Sequence, residues 1–284
     1  MDIKHTDLAL EAAEIYRDGR PEGEIDGARL REKNSRGFAV TEVTVFKDSA
    51  AKELCKPKGN YITVDIGRFL KRGDGSFPDA VEVIGGLIRE QLGGAAPESA
   101  LVAGLGNRAV TPDVVGPAAA DMVLATRHLV ESSPEDFPFF NKVSVISPGV
   151  VGTTGIDSGS LIKAAADMAR PAAVIVVDAL CSASPDRLCK TVQVTNTGIT
   201  PGSGVGNAGS EISEKTMGVP VIAIGAPTVM SLKAAADVPE GVSDMFVTPR
   251  DIDIKAAEIS KLIAYSINYA LHKNLSVSDI DMLV

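Results

Sequence analysis

The sequence has no tryptophan, and eight Phe and four Tyr are its only other aromatics among 284 residues. That scarcity excludes the stacking platform on which single-stranded nucleic acid lies. Histidine is nearly absent too: His5, His128 and His272 are the full set. His128 falls inside a predicted helix, and His272 near a helix end, where a cation is favoured. With no histidine beside a strand-end loop, a Ser-His or Cys-His triad lacks its base, and a His-rich zinc site lacks its ligands. Cysteine is limited to Cys55, Cys181 and Cys189, an odd number without metal-ligand spacing. They read as reduced thiols of a cytoplasmic protein, in preference to a Cys181–Cys189 redox pair. No segment reaches 18 consecutive apolar residues, so no membrane span is expected. The N-terminus lacks the basic start and apolar run of a secretory signal. Positive charge is in deficit: 28 Lys plus Arg against 37 Asp plus Glu leave a formal charge of −9. An acidic surface argues against gripping nucleic acid directly or docking on an anionic membrane.

What is present is an ordinary globular mix, 45% hydrophobic and 23% charged. The length suits one large α/β domain or two small ones. Thr6 is placed to cap a first helix whose apolar face would be Leu8, Ala9, Ala12, Ala13 and Tyr16. Residues 19–36 are polar and read as irregular. Residues 37–47 are β-rich, with Val40, Val43 and Val45, but the alternation breaks near Thr41-Glu42, which predicts a bulge or bend. A second β run covers 61–66.

From Pro78 onward the rhythm is clearer. A helix runs to Leu92 and stops at Gly93-Gly94. Strands are predicted at 100–105, 143–146, 172–177, 191–194 and 219–224, and helices at 117–130 and 160–169. A C-terminal helix carries Ile252, Ala256, Ile259, Ile263, Ile267 and Ala270. Apolar runs without alternation, separated by helices, indicate strands buried on both faces. The expected fold is therefore α/β, a central mostly parallel sheet flanked by helices, with an additional β-rich N-terminal part.

In such sheets functional groups gather beyond the carboxyl ends of the strands. Two acids are delivered there: Asp113 from the loop after strand 100–105, and Asp178 at the tip of strand 172–177. If those strands are neighbours, the two carboxyl groups face each other. Two like charges in a poorly solvated site cannot both ionise cheaply, so the pair holds a shared proton. One member then takes a proton from water while the other donates to a carbonyl oxygen. The plainer alternative has Asp113 capping the next helix and Asp178 bonding loop amides. The stretch from Thr197 to Asn207 holds four glycines, at 198, 202, 204 and 206. It matches neither a phosphate loop nor a dinucleotide fingerprint. It reads equally as a structural turn or as a backbone cradle for an extended peptide or an oxyanion.

Several blocks then resemble one family in order. They are Gly104-Leu-Gly-Asn107 with Thr111-Pro-Asp-Val-Val-Gly-Pro117, Thr126-Arg-His-Leu129, Ser147-Pro-Gly-Val-Val-Gly152 and Val177-Asp-Ala-Leu180. After them come Pro201-Gly-Ser-Gly-Val-Gly-Asn207 and Pro220 to Thr228, and His5-Thr-Asp-Leu-Ala9 precedes them all. Together they resemble the germination protease family over roughly residues 100 to 230. The resemblance implies an α/β fold like that of the hydrogenase-maturation proteases. It implies an endopeptidase of the spore core that degrades small acid-soluble spore proteins at germination, without cofactor or metal. It also implies a homotetramer, made as a self-processing zymogen.

The family's proposed catalytic aspartates fall on Asp113 and Asp178, and its processing site on Asp7-Leu8. Residues 1–7 would then be the propeptide and 8–284 a single α/β peptidase domain. Substrate would be held by Asn107, Gly202, Ser203, Gly204, Gly206 and Asn207. Two departures flank this site: Thr200 where His is expected, and Cys181-Ser182-Ala183 in place of a more basic run. The rival readings are a metal-dependent endopeptidase with the same aspartates as ligands, a non-catalytic module whose glycine loop binds a phosphorylated ligand, and a family member that has lost activity.

Overall fold

The computed structural model describes residues 6–18, 25–69, 75–202, 209–232, 245–272 and 274–284. Its strands are β1 (Ala28–Ser35), β2 (Phe38–Val45), β3 (Gly59–Asp65), β4 (Ser99–Gly104), β5 (Lys142–Ile146), β6 (Ala173–Ser182), β7 (Thr191–Thr195), β8 (Val221–Ser231) and β9 (Phe246–Val247). One mixed sheet takes them in the order β1-β2-β3-β7-β8-β6-β4-β5, with β9 also against β8. The neighbours β5, β4, β6 and β8 run parallel. The N-terminal strands β1 to β3 join this parallel core through β7, in antiparallel pairings. The α/β class with a β-rich N-terminal part is thus what the chain builds.

The helices are α1 (Ala9–Asp18), α2 (Asp48–Glu53), α3 (Phe77–Gln91), α4 (Val115–Asp121), α5 (Arg127–Ser132), α6 (Val151–Thr154), α7 (Ser158–Ala169), α8 (Glu214–Met217), α9 (Ile252–Leu271) and α10 (Val277–Leu283). One face of the sheet is covered by α3, α4, α9 and α10, whose Ile84, Ala119, Ile263 and Ile280 pack on Val102, Ile175, Val177 and Ile224. The other face is covered in two places. Helices α1 and α2 lie over Val43, Val45 and Tyr61. Helices α7 and α8 lie over Leu101, Ala103, Val174 and Val176. One register row, Val43–Tyr61–Thr195–Ala223–Val176–Ala103, crosses both patches, so they share a face. Between the patches no described helix lies over the middle of β7 and β8, and the site lies there.

Four local expectations are corrected. The polar stretch before Gly37 is not irregular: Ala28–Ser35 forms the edge strand β1, polar and largely exposed beyond Leu30. Its hairpin with β2 turns over Arg36 and Gly37, both at positive φ (51° and 86°), as a two-residue turn of this kind requires. Strand β2 has no bulge, since its register with β1 and β3 is continuous. Its alternation breaks because Phe38 and Val40 face one core and Val43 and Val45 the other. The helix expected over 117–130 is two helices, α4 and α5. Buried Asn268 of α9 replaces the missing helical bonds, accepting from Leu124 N at 2.9 Å and donating to Met122 O at 2.9 Å. Finally, β6 and β8 run on together to Ser182 and Ser231, so Asp178 lies within a strand, opposite Gly225, and not at its tip.

Candidate active site

Asp113 is delivered by a tight return of the chain after β4. Leu105 N holds that exit against Val177 O at 2.8 Å. Gly106 then turns at φ +122°, where a β-carbon would sit 2.0 Å from the Asp113 carbonyl oxygen. Only glycine fits so close an approach. A single 3₁₀ turn, Thr111–Asp113, brings the carboxyl group back over the strand ends. The backbone amide of Asn107 donates to Asp113 Oδ2 at 2.8 Å, and Asn107 Oδ1 accepts from Ala109 N at 3.0 Å. Helix α4 has no side-chain cap, so Asp113 does not serve as one.

Asp178 is buried on the neighbouring strand. Its Oδ1 accepts from Ala179 N at 2.9 Å. Three effects push its pKa well above the carboxylate range: burial first, then the charge of Asp113, then that of Asp7. Asp113 is raised as well, by burial, against the opposing pull of the Asn107 amide. The two carboxyl groups line one cavity of about 360 Å³, with Asp7, Thr200, Gly202 and Thr228 on its wall. Strands β4 and β6 are neighbours, so the convergence that the sequence made conditional on this is present.

The N-terminal segment 6–9, a bend that leads into α1, lies against this crevice and bonds to the sheet through several groups. Lys56 Nζ donates to Thr6 O at 2.8 Å. Asp7 N donates to Cys181 O at 2.9 Å, and Cys181 N donates to Asp7 Oδ2 at 2.8 Å. Gln193 Nε2 donates to Asp7 O at 3.2 Å, and Gln193 Oε1 accepts from Ala9 N at 2.9 Å. Thr6 Oγ1 accepts from Leu8 N at 3.0 Å and donates to Glu11, whose carboxylate also receives the amides of Ala183 and Ser184. Leu8 is fully buried. A second cavity of about 340 Å³ continues past Asp7 toward Lys56, Tyr61 and Gln193.

Of the residues expected to hold substrate, Gly202 lines the aspartate cavity. Asn107 has its amide and its side-chain oxygen engaged within the Asp113 loop. Ser203, Gly204, Gly206 and Asn207 lie outside the described residues. Burial and the charge of Asp7 push the Cys181 thiol up to about 12, which leaves it inert as a nucleophile. None of the three cysteines is in a disulfide. His272 is not the helix-end cation expected of it: burial pushes it down to about 4, and its Nδ1 accepts from Asn141 N at 3.3 Å. Among the described residues, no group of three or more His, Cys, Asp or Glu is set to hold a metal ion. Nor is any helix among them long and apolar enough to cross a membrane.

Two residues at this site escaped the sequence reading. Gln193 sits in a buried strand with no motif around it. Thr228 is the extra residue where the β6–β8 register slips between Leu180 and Cys181. It is buried, and its hydroxyl has no partner among the described residues. A bulge beside a site re-aims a side chain in this way. Its signal, a lone Thr after Ala-Pro, is too common to single out.

The germination protease family profile matches residues 6–238. The germination protease of Clostridium perfringens strain 13 is 35% identical, with 97% of each chain covered. That of Caldanaerobacter subterraneus subsp. tengcongensis is also 35% identical, over 98% of this chain and 97% of that protein. That of Bacillus cereus strain ATCC 10987 is 40% identical over 79% of this chain and 62% of its own length. Among solved structures, the [NiFe] hydrogenase maturation protease HycI from Thermococcus kodakarensis superposes with a TM-score of 0.37 at 17% identity, over 64% of this chain and 98% of that one. A likeness so distant bears no weight here.

Proposed function

This chain belongs to the germination protease family and is a peptidase, and on that premise we propose that it is the self-processing zymogen of an endopeptidase whose water is activated by Asp113 and Asp178. Small acid-soluble spore proteins are its substrates in the spore core. Residues 1–7 are the propeptide, residues 8–284 the peptidase domain, and four copies assemble as a homotetramer. The observation that carries the reading is the convergence of two acids, each raised by burial, on one cavity that Asp7 also lines.

The mechanism follows from the unequal surroundings of the pair. Asp178 is deeper and carries two negative neighbours, so it keeps the proton. Asp113 is more open and is steadied by the Asn107 amide, so it is the base. Water loses a proton to Asp113 as its oxygen attacks the peptide carbonyl carbon. Asp178 gives its proton to the carbonyl oxygen. On collapse the C–N bond breaks, Asp113 passes its proton to the departing nitrogen, and the gem-diol returns one to Asp178. Both acids end as they began.

The test is self-cleavage of the full-length chain, read by mass spectrometry. Asp113→Asn and Asp178→Asn are each expected to stay intact while the wild type loses residues 1–7. Processing by either variant at the wild-type rate refutes the carboxylate mechanism.

A further inference from the structure

The contacts of segment 6–9 fall on backbone groups in an order that has meaning for cleavage. If the chain is cut after Asp7, the Asp7 carbonyl is the group under attack. The described side chain that touches that carbonyl oxygen is Gln193, at 3.2 Å through Nε2. The same amide accepts from the N–H of Ala9, two residues on, at 2.9 Å. This second bond fixes which way the amide points. An N–H of Ala9 can meet only the oxygen, so the NH₂ must face Asp7.

The fold aims this side chain deliberately. Gln193 of β7 and Asp178 of β6 both pair with Gly225 of β8, from opposite sides. Residues in register share a face, so the two side chains rise on the same side, about 10 Å apart at the backbone. Gly225 puts no side chain between them: a β-carbon there would meet Asp178 O at 2.4 Å and Leu180 Cγ at 2.9 Å. Gln193 is itself buried, on the wall of the second cavity beside Asp7.

We propose that Gln193 is a catalytic residue of the peptidase, whose side-chain N–H holds the oxygen of the scissile carbonyl as negative charge grows there, while its oxygen grips the amide two residues beyond. The claim rests on the assignment of Asp7–Leu8 as the processed bond. Donors aimed at such an oxygen typically contribute about 10²–10³ in rate. In this role Gln193 complements the proton from Asp178, and it serves any substrate segment that takes the place of residues 6–9.

The rival is a merely structural Gln193 that docks the segment. Two readouts on the full-length chain separate them: the first-order rate of self-processing, and the hydrogen-exchange protection of the Asp7 amide, which bonds Cys181 O and not Gln193. Gln193→Met keeps the shape without the donor. Gln193→Glu keeps the acceptor for Ala9 N and serves if the Met variant fails to fold. Either is expected to slow processing at least 100-fold while Asp7 protection stays within a few-fold of wild type. Processing within twofold of wild type overturns the inference and leaves the aspartate mechanism standing. So does a slowed rate matched by an equal loss of protection. A wild-type chain that is not cut between Asp7 and Leu8 removes the premise and the inference with it.

Discussion

Asp178 and Gln193 flank Gly225 in one register row of the sheet. Strand spacing, not loop conformation, sets the distance between a proton donor and a carbonyl grip. A site mounted on strands keeps its geometry when the loops around it move.

Burial of Asp178 makes stability depend on pH in a definite direction. Below about pH 3, the folded and unfolded acids are both protonated and the favourable contribution is complete. As pH rises the unfolded acid ionises first, so the folded state loses stability until the raised native pKa is passed. Asp178→Asn imitates the protonated acid. It is expected to match wild type near pH 3 and to exceed it at pH 7.5 by about 1.4 kcal/mol for each pKa unit of elevation. Urea midpoints at the two pH values check this, and an equal gain at both would contradict it.

Gly106→Ala forces a β-carbon to 2.0 Å from Asp113 O in a left-handed conformation. The loop must shift, and Asp113 with it. Processing is expected to fall by roughly 100-fold, since misplacement of a catalytic group by about 1 Å has that effect. Gly94→Ala is the control: φ is +90°, but nothing lies within 4 Å. It should lower stability by about 1 kcal/mol and leave processing alone. Equal processing by the two variants would disconnect Gly106 from the site.

Thr228→Val separates stability from activity. A buried hydroxyl without a partner costs about 1–3 kcal/mol. Its removal is expected to raise stability by roughly 1 kcal/mol while slowing processing. Unfolding curves and processing rates on the same preparation decide it. A stabilised chain of undiminished rate would make Thr228 a bystander.

Exhaustive chelation tests the rival role for the aspartates. Processing by the dialysed, EDTA-treated chain is expected to stay within twofold of untreated protein. Activity lost to chelator and restored by one divalent ion would recast Asp113 and Asp178 as ligands.

Much of this architecture was legible in the sequence because buried parallel strands and amphipathic helices leave long apolar signatures. Val174 to Val177 and the Ile259–Ile263–Ile267 stripe are of that kind. The misses have a common physical origin. Strand β1 is held mainly by its hairpin partner, with only Ala28 and Leu30 packed on the core, so its alternation is too short to read. The break between α4 and α5 is sustained by Asn268, some 140 residues away. Asp178 could be found because a charge that interrupts an apolar strand is conspicuous, and Asp113 because it falls in the loop that follows one. Gln193 and Thr228 could not, because a neutral polar residue in a strand declares nothing until its neighbours are known.

Lys56 holds Thr6 through one carbonyl, and the charge of Asp7 offsets the burial that lowers its pKa. If the chain is cut after Asp7, both comforts depart with the released peptide, while Lys56, the Cys181 backbone and Gln193 stay behind. What remains is a cast of the sequence that filled it, with an under-compensated ammonium at one wall. The mature groove would therefore favour acidic guests because an acidic tenant shaped it, so the leader doubles as an imprint of the prey.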